Sequence, residues 1–160
     1  MTEAVTEAKQ AEQPHCPVDL NGLFRFKVDS KGRVALPAKF RKVLSKDLVV
    51  TLEPADECVY VFENPDFNAW VDQLFADRFG EYKASNRKHV KLRSLLKARA
   101  NDVEVDGSGR IMLSSEIRAA AGIDKDVVVV GNTGRFEIWD AKRYDDEFAD
   151  VDLSVFYEES

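Results

Sequence analysis

The chain has 160 residues, 44% of them hydrophobic, and carries 29 acidic against 23 basic side chains for a formal net charge of −6. That is enough apolar material for a core, but the longest purely aliphatic run, Val127–Val130, is far too short to span a membrane, and the polar opening residues do not resemble a secretion signal. Two cysteines and two histidines stand at spacings that suit no structural zinc site, so Cys16 and Cys58 read as free thiols, no metal or cofactor is expected, and the expected location is the cytoplasm.

Residues 1–19 are rich in Ala, Glu, Gln and Thr and hold no aromatic side chain, a composition that cannot repay the entropy of ordering; a disordered extension is expected there. Alternation begins at Leu23. Phe24, Phe26 and Val28 share one face, Arg25, Lys27 and Asp29 the other, which is the period of a half-buried strand. Asp29-Ser30-Lys31-Gly32 supplies turn chemistry, and Val34 and Leu36 resume the inward pattern, so residues 23–36 are expected to form a β-hairpin. Pro37 suits the start of a short helix on which Phe40, Val43 and Leu44 share a face. Leu48–Leu52 and Cys58–Phe62 read as a second hairpin about Pro54-Ala55-Asp56-Glu57.

After Pro65, the side chains Phe67, Trp70, Val71, Leu74, Phe75 and Phe79 recur at helical spacing up to Gly80, and Leu92, Leu95 and Leu96 mark a second helix with a basic face. An aromatic stripe of this kind reads as packing surface rather than a ligand site. Strand alternation then returns with Val103, Val105, Ile111 and Leu113. Ile117, Ala120 and Ala121 line a helix that Gly122 stops, and Val127–Val130 with Phe136–Trp139 close a last hairpin about Asn132-Thr133-Gly134. Tyr144 and Phe148 mark a trailing helix.

This second series repeats the first. Asp29-Ser-Lys-Gly-Arg33 through Arg41 recurs 77 positions later as Asp106-Gly-Ser-Gly-Arg110 through Arg118, and the same offset pairs Val50 with Val127 and Phe62 with Trp139. Charge is not repeated with it. Residues 25–42 hold seven basic side chains against Asp29 alone, and 83–99 hold seven with no acid, whereas in the second copy Lys31, Lys39 and Lys42 become Ser108, Glu116 and Ala119. The acidic stretch from Asp140 onward reads as a solvated segment, with masking of the basic 83–99 run or contact with a neighbouring subunit as its other uses.

A hairpin centred on Asp-x-x-Gly-Arg and followed by a short Arg-bearing helix resembles the SpoVT/AbrB swapped-hairpin DNA-binding domain. Two such units at this spacing, closed by Gly-Asn-Thr-Gly-Arg-Phe-Glu-Ile-Trp-Asp at 131–140, resemble the MraZ family of transcriptional regulators. The resemblance implies an α+β, β-rich fold in which two tandem swapped-hairpin modules form a pseudo-symmetric β-barrel with short helices and a helical connection. The corresponding divisions are 1–19, a first DNA-reading module over 20–72, a helical connection over 73–99, a second module over 100–150, and an acidic tail over 151–160. It further implies a cytoplasmic, nucleoid-associated, ring-shaped homo-oligomer, an octamer or similar, that binds direct repeats of double-stranded DNA in the promoter of the division and cell-wall gene cluster, including its own gene.

The candidate DNA contacts are Arg25, Lys27, Lys31, Arg33, Arg41 and Lys42, with Arg110 and Arg118 as weaker, partly structural counterparts. The ranking has a physical basis, because a basic two-stranded ribbon fits a major groove whereas the acidic second copy would be repelled by phosphate. Arg33 and Arg110 have another role open to them, an ion pair to Asp29 and Asp106 that staples each turn. Gly107-Ser108 falls within a turn, and no nucleophile–base constellation or phosphate-binding glycine loop is present, so an enzyme is not expected. An AbrB-type antitoxin and a ring scaffold that does not bind DNA are the alternatives.

Overall fold

The computed structural model describes residues 15–158. The expected disorder of the first fourteen residues lies outside that range. At the end of the expected extension, Asp19 bridges to Thr133, the Leu20 amide donates to the Asn132 carbonyl, and Leu20 is buried.

The fold is α+β and rich in strands. In chain order it comprises β1 (Leu23–Lys27), β2 (Arg33–Ala35), α1 (Ala38–Arg41), β3 (Asp47–Leu52), β4 (Val59–Phe62), α2 (Asn64–Phe79), α3 (Arg87–Ala98), β5 (Asn101–Glu104), β6 (Arg110–Met112), α4 (Ser115–Ala120), β7 (Asp126–Gly131), β8 (Phe136–Asp140), α5 (Ala141–Phe148) and a 3₁₀ segment, Leu153–Tyr157. Six strands form one antiparallel sheet in the order β1-β7-β8-β4-β3-β5, and β2 with β6 forms a separate two-stranded ribbon. The order is symmetric about β8–β4, so each strand of one copy mirrors its counterpart in the other.

The expected hairpin over 23–36 does not form. β1 pairs with β7 of the second copy (Leu23 opposite Val130, Lys27 opposite Asp126), while β2 pairs with β6 (Val34 opposite Ile111). β5 likewise pairs with β3 of the first copy. Alternation specifies which face a strand buries, not which strand lies beside it, and here the other copy supplies the partner. The sheet is also not closed into a barrel, since its edge strands β1 and β5 are unpaired with each other. Its open side is covered by packing instead: Val34 and Ile111 of the ribbon are fully buried in the main core with Leu48, Val50, Val59, Val61, Val127, Val129 and Ile138. Both copies thus share one core, as units too small to stand alone require.

The second hairpin of each copy is formed as the patterning indicates, β3 with β4 and β7 with β8. The 77-residue frame, however, slips between them. Val49 faces Phe62 in the first copy and Val128 faces Trp139 in the second, so the counterpart of Val50 is Val129 and not Val127. α4 is six residues long where α1 is four, and the β7–β8 turn is correspondingly shorter than the β3–β4 turn, so the frame is restored by β8.

Helix ends follow local chemistry. Ser114 Oγ accepts the Ile117 amide at the start of α4, Asn86 accepts the Lys88 and His89 amides at the start of α3, and Gly80 closes α2 with φ 86°. Val43, expected beside Phe40 on a helix face, is exposed because α1 ends at Arg41. On the other face of the sheet, α2 packs Phe67, Val71 and Phe75 on Val49 and Phe62 to make a second core. Among the described residues no helix is long and apolar enough to cross a membrane.

Candidate nucleic-acid interface

The two Asp-x-x-Gly-Arg turns are built alike. The Asp29 carboxylate accepts the backbone amides of Lys31 (2.9 Å) and Arg33 (2.8 Å), and that of Asp106 accepts those of Ser108 (2.8 Å) and Arg110 (3.0 Å). Gly32 and Gly109 complete the turns at φ 85° and 77°, a region that costs any other residue except asparagine or aspartate dearly. Hydrogen bonds, first those from the Arg33 and Arg110 amides, hold both carboxyls below the usual aspartate range.

The ribbon joins the turns. Arg33, Ala35, Arg110 and Met112 share its outer face, and the four charges of the two motifs meet there. Arg33 Nε donates to Asp29 at 2.8 Å, and Arg110 Nη1 reaches across to the same Asp29 oxygen at 3.1 Å. Asp106 lies 3.5 Å from Arg110 Nε and 3.9 Å from Arg33 Nη1. All four side chains are about one-third exposed or less. The stapling role open to Arg33 and Arg110 is therefore formed, and it extends between the copies as well as within each turn.

A second reciprocal contact locks the same region. A Cβ on Gly109 would come within 2.8 Å of three Arg41 side-chain atoms, and one on Gly32 within 3.1 Å of the Arg118 guanidinium. Each helix arginine therefore lies on the turn of the other copy. Arg118 also donates from Nε to the Leu113 carbonyl (3.1 Å) and is half-buried, whereas Arg41 remains exposed.

The other candidates differ in how committed they are. Arg25, on β1, donates to Asp145 of α5 at 2.8 Å, a pairing that pushes the guanidinium pKa further up and holds Asp145 low. Both partners are more than half exposed, so the pair adds little stability but does engage the charge. Lys27, Lys31, Arg41 and Lys42 are exposed and, among the described residues, form no ion pair. Lys31 stands at the tip of its turn. Lys46, outside the predicted set, shares with Arg41 a cleft walled by Asp106, Gly107 and Gly109; its place beside the 106–109 turn follows from the strand exchange and had no local signal.

Part of the basic run 83–99 is occupied within the fold. Arg93 pairs with Asp72 (2.9 Å), Arg99 with Asp56 (2.6 Å), Lys97 bonds Asn68 and lies over the Phe67 ring, and Arg93 lies 4.9 Å from the centre of Tyr82. Arg93 and Lys97 clamp α3 on α2, and Arg99 ties the end of α3 to the β3–β4 turn. Among the described residues no group of His, Cys, Asp and Glu side chains is arranged to hold a metal ion.

Comparison of the sequence with known proteins finds one family along both copies. The family model described as "MraZ protein, putative antitoxin-like" matches residues 20–89 and 96–159. The transcriptional regulator MraZ of Lachnoclostridium phytofermentans is 35% identical over 136 residues, covering 81% of this chain and 92% of that protein. The protein of the same name from Saccharopolyspora erythraea is 38% identical over 118 residues (74% and 78% covered), and that from Nitrosomonas eutropha 35% over 128 (78% and 82%).

Proposed function

The chain belongs to the MraZ family, and from that premise we propose that it is a sequence-specific DNA-binding transcriptional regulator that recognises direct repeats in the promoter of the division and cell-wall gene cluster, its own gene included. The relatives' shared name supports the regulatory role. The observation that carries the DNA reading is the braced pair of turns, which presents Lys31 at a fixed tip with Lys27, Arg41 and Lys42 of the same module exposed and, among the described residues, without an ion pair. A rigid cationic tip loses little side-chain and backbone freedom on meeting phosphate, and arginine or lysine on a two-stranded ribbon can read guanine in a major groove.

Division of labour follows from charge. The second turn has no cation of its own at its tip, its neighbouring strand carries Asp102 and Glu104, and the cations that lie against it, Arg41 and Lys46, come from the first copy, so the second copy serves as brace and scaffold. Arg33 and Arg110 hold the tip in shape, and Arg25 is shared with α5. One such tip neutralises few phosphates, so affinity comes from several modules of a ring engaging successive repeats.

The test is binding to the fragment immediately upstream of the gene, titrated with salt, for the unaltered chain and Lys31→Ala. A steep fall of affinity with salt, a shallower slope for the variant, and much tighter binding to two repeats than to one are expected. Equal binding by both proteins, or by one-repeat and two-repeat probes, overturns the proposal. The antitoxin reading has less support, because a full second module occupies the place where a toxin-wrapping segment would lie.

A further inference from the structure

Beyond α5 the chain exposes a run of apolar side chains that nothing among the described residues covers. Val151, Leu153, Val155, Phe156 and Tyr157 are 57–88% exposed, and Asp152 caps the run by accepting the Ser154 amide (3.0 Å) and hydroxyl (2.8 Å), which shapes it as a compact turn. Isolated exposed apolar residues are ordinary, but five within seven positions mark a contact surface. The segment 145–158 holds acids at 145, 146, 147, 150, 152 and 158 and no basic residue.

Its complement lies between the two long helices. Leu74, Phe79, Leu92, Leu95 and Leu96 line an open apolar groove, with Leu95 57% exposed. Arg78 and Arg99 stand at its rim, and Lys88 and Lys91 follow along α3; among the described residues Arg78, Lys88 and Lys91 have no acidic partner. An acidic apolar segment and a cationic apolar groove are thus both left open by the same chain.

We propose that segment 151–157 of one chain docks, through Phe156 and Tyr157, into the α2–α3 groove of a second copy. Because segment and groove are different surfaces, the contact is head-to-tail, the type that generates a ring when the rotation closes. Buried aromatic anchors supply the affinity, and the flanking acids against Arg78, Lys88 and Lys91 set the register. The inference rests on the ring reading above and is independent of DNA binding.

Phe156→Ala and Leu95→Glu, each in the full chain, alter exposed positions and leave both cores untouched. Sedimentation of either variant is expected to show self-association weakened by about tenfold or more. A mixture of the two regains pairwise association only, because one intact groove meets one intact segment. A chain carrying Leu95→Cys, Phe156→Cys and Cys16→Ser is expected to cross-link between chains on oxidation. Unaltered assembly of both variants, failure of the mixture to associate, or a cross-link confined to one chain overturns the docking. Sedimentation of the unaltered protein as a single chain overturns docking and ring together, while promoter binding by the Lys31→Ala variant judges the regulatory reading separately.

Discussion

Arg110 donates a hydrogen bond of 3.1 Å to Asp29, a residue of the other copy 81 positions earlier in the chain. Through it the turn that carries Lys31 is fixed by the other module. Asp29 is the hub, since it also takes the Arg33 side chain and two backbone amides. Asp29→Asn and Arg110→Ala are each expected to lower thermal stability, and the double variant to lose clearly less than the sum of the two, because the residues act through one cluster. Thermal melts of the four proteins check this.

The low-lying Asp29 and Asp106 carboxyls give stability a defined pH dependence. A depressed folded-state pKa contributes stability that is fully present above the unfolded value of about 4 and lost as pH falls through the folded value. Denaturant midpoints are therefore expected to respond to these two groups only below about pH 4, with an acid decline that is shallower in the Asp29→Asn, Asp106→Asn double variant.

Gly109 tests the crossed arginine contact. Gly109→Ala combines a positive φ with a side chain driven into Arg41, and at least the 1–2 kcal/mol of a non-glycine residue in that backbone region is expected to be lost. Arg41→Ala in the same chain relieves the clash and recovers part of the loss, which urea unfolding of the single and double variants measures.

Loss of Lys42 or Lys31 is expected to weaken DNA binding and to reduce the salt slope by about 0.9 per phosphate contact removed. Arg118→Ala is expected instead to act on stability, because its guanidinium lies on Gly32 and its Nε on the Leu113 carbonyl. Gel-shift titration beside thermal melts separates the two outcomes.

The thiols are expected to differ. Cys58 is fully buried, and burial pushes its thiol far above the ordinary range, whereas Cys16 is exposed. Iodoacetamide at neutral pH is expected to modify Cys16 alone in the folded protein and both after denaturation, as mass spectrometry will show.

Much of this architecture was legible in the residues because its signals are local. Gly80 and Gly122 end their helices, Ser114 caps α4, the stripe from Phe67 to Phe75 packs as a core, and the turns recur with their Asp and Gly in place. The partner of β1 was not legible, since the alternation of Phe24, Phe26 and Val28 is satisfied equally by β2 and by β7. Nor was the slip that makes Val129 the counterpart of Val50, because two residues gained near α4 cancel two lost from the β7–β8 turn. For Arg33 the spacing admitted both a DNA contact and a staple; geometry shows the staple formed, and only spatial proximity of the copies reveals that Arg110 shares Asp29.

The exchange of edge strands also dictates when this protein can begin to exist. Leu23 finds its place only opposite Val130, so on the ribosome the opening strand must wait for more than a hundred further residues before it has anything to pair with. Such distant pairing makes for slow folding. Neither half, expressed by itself, carries the strand that its own opening strand pairs with here, so each is expected to need a second copy to complete its sheet.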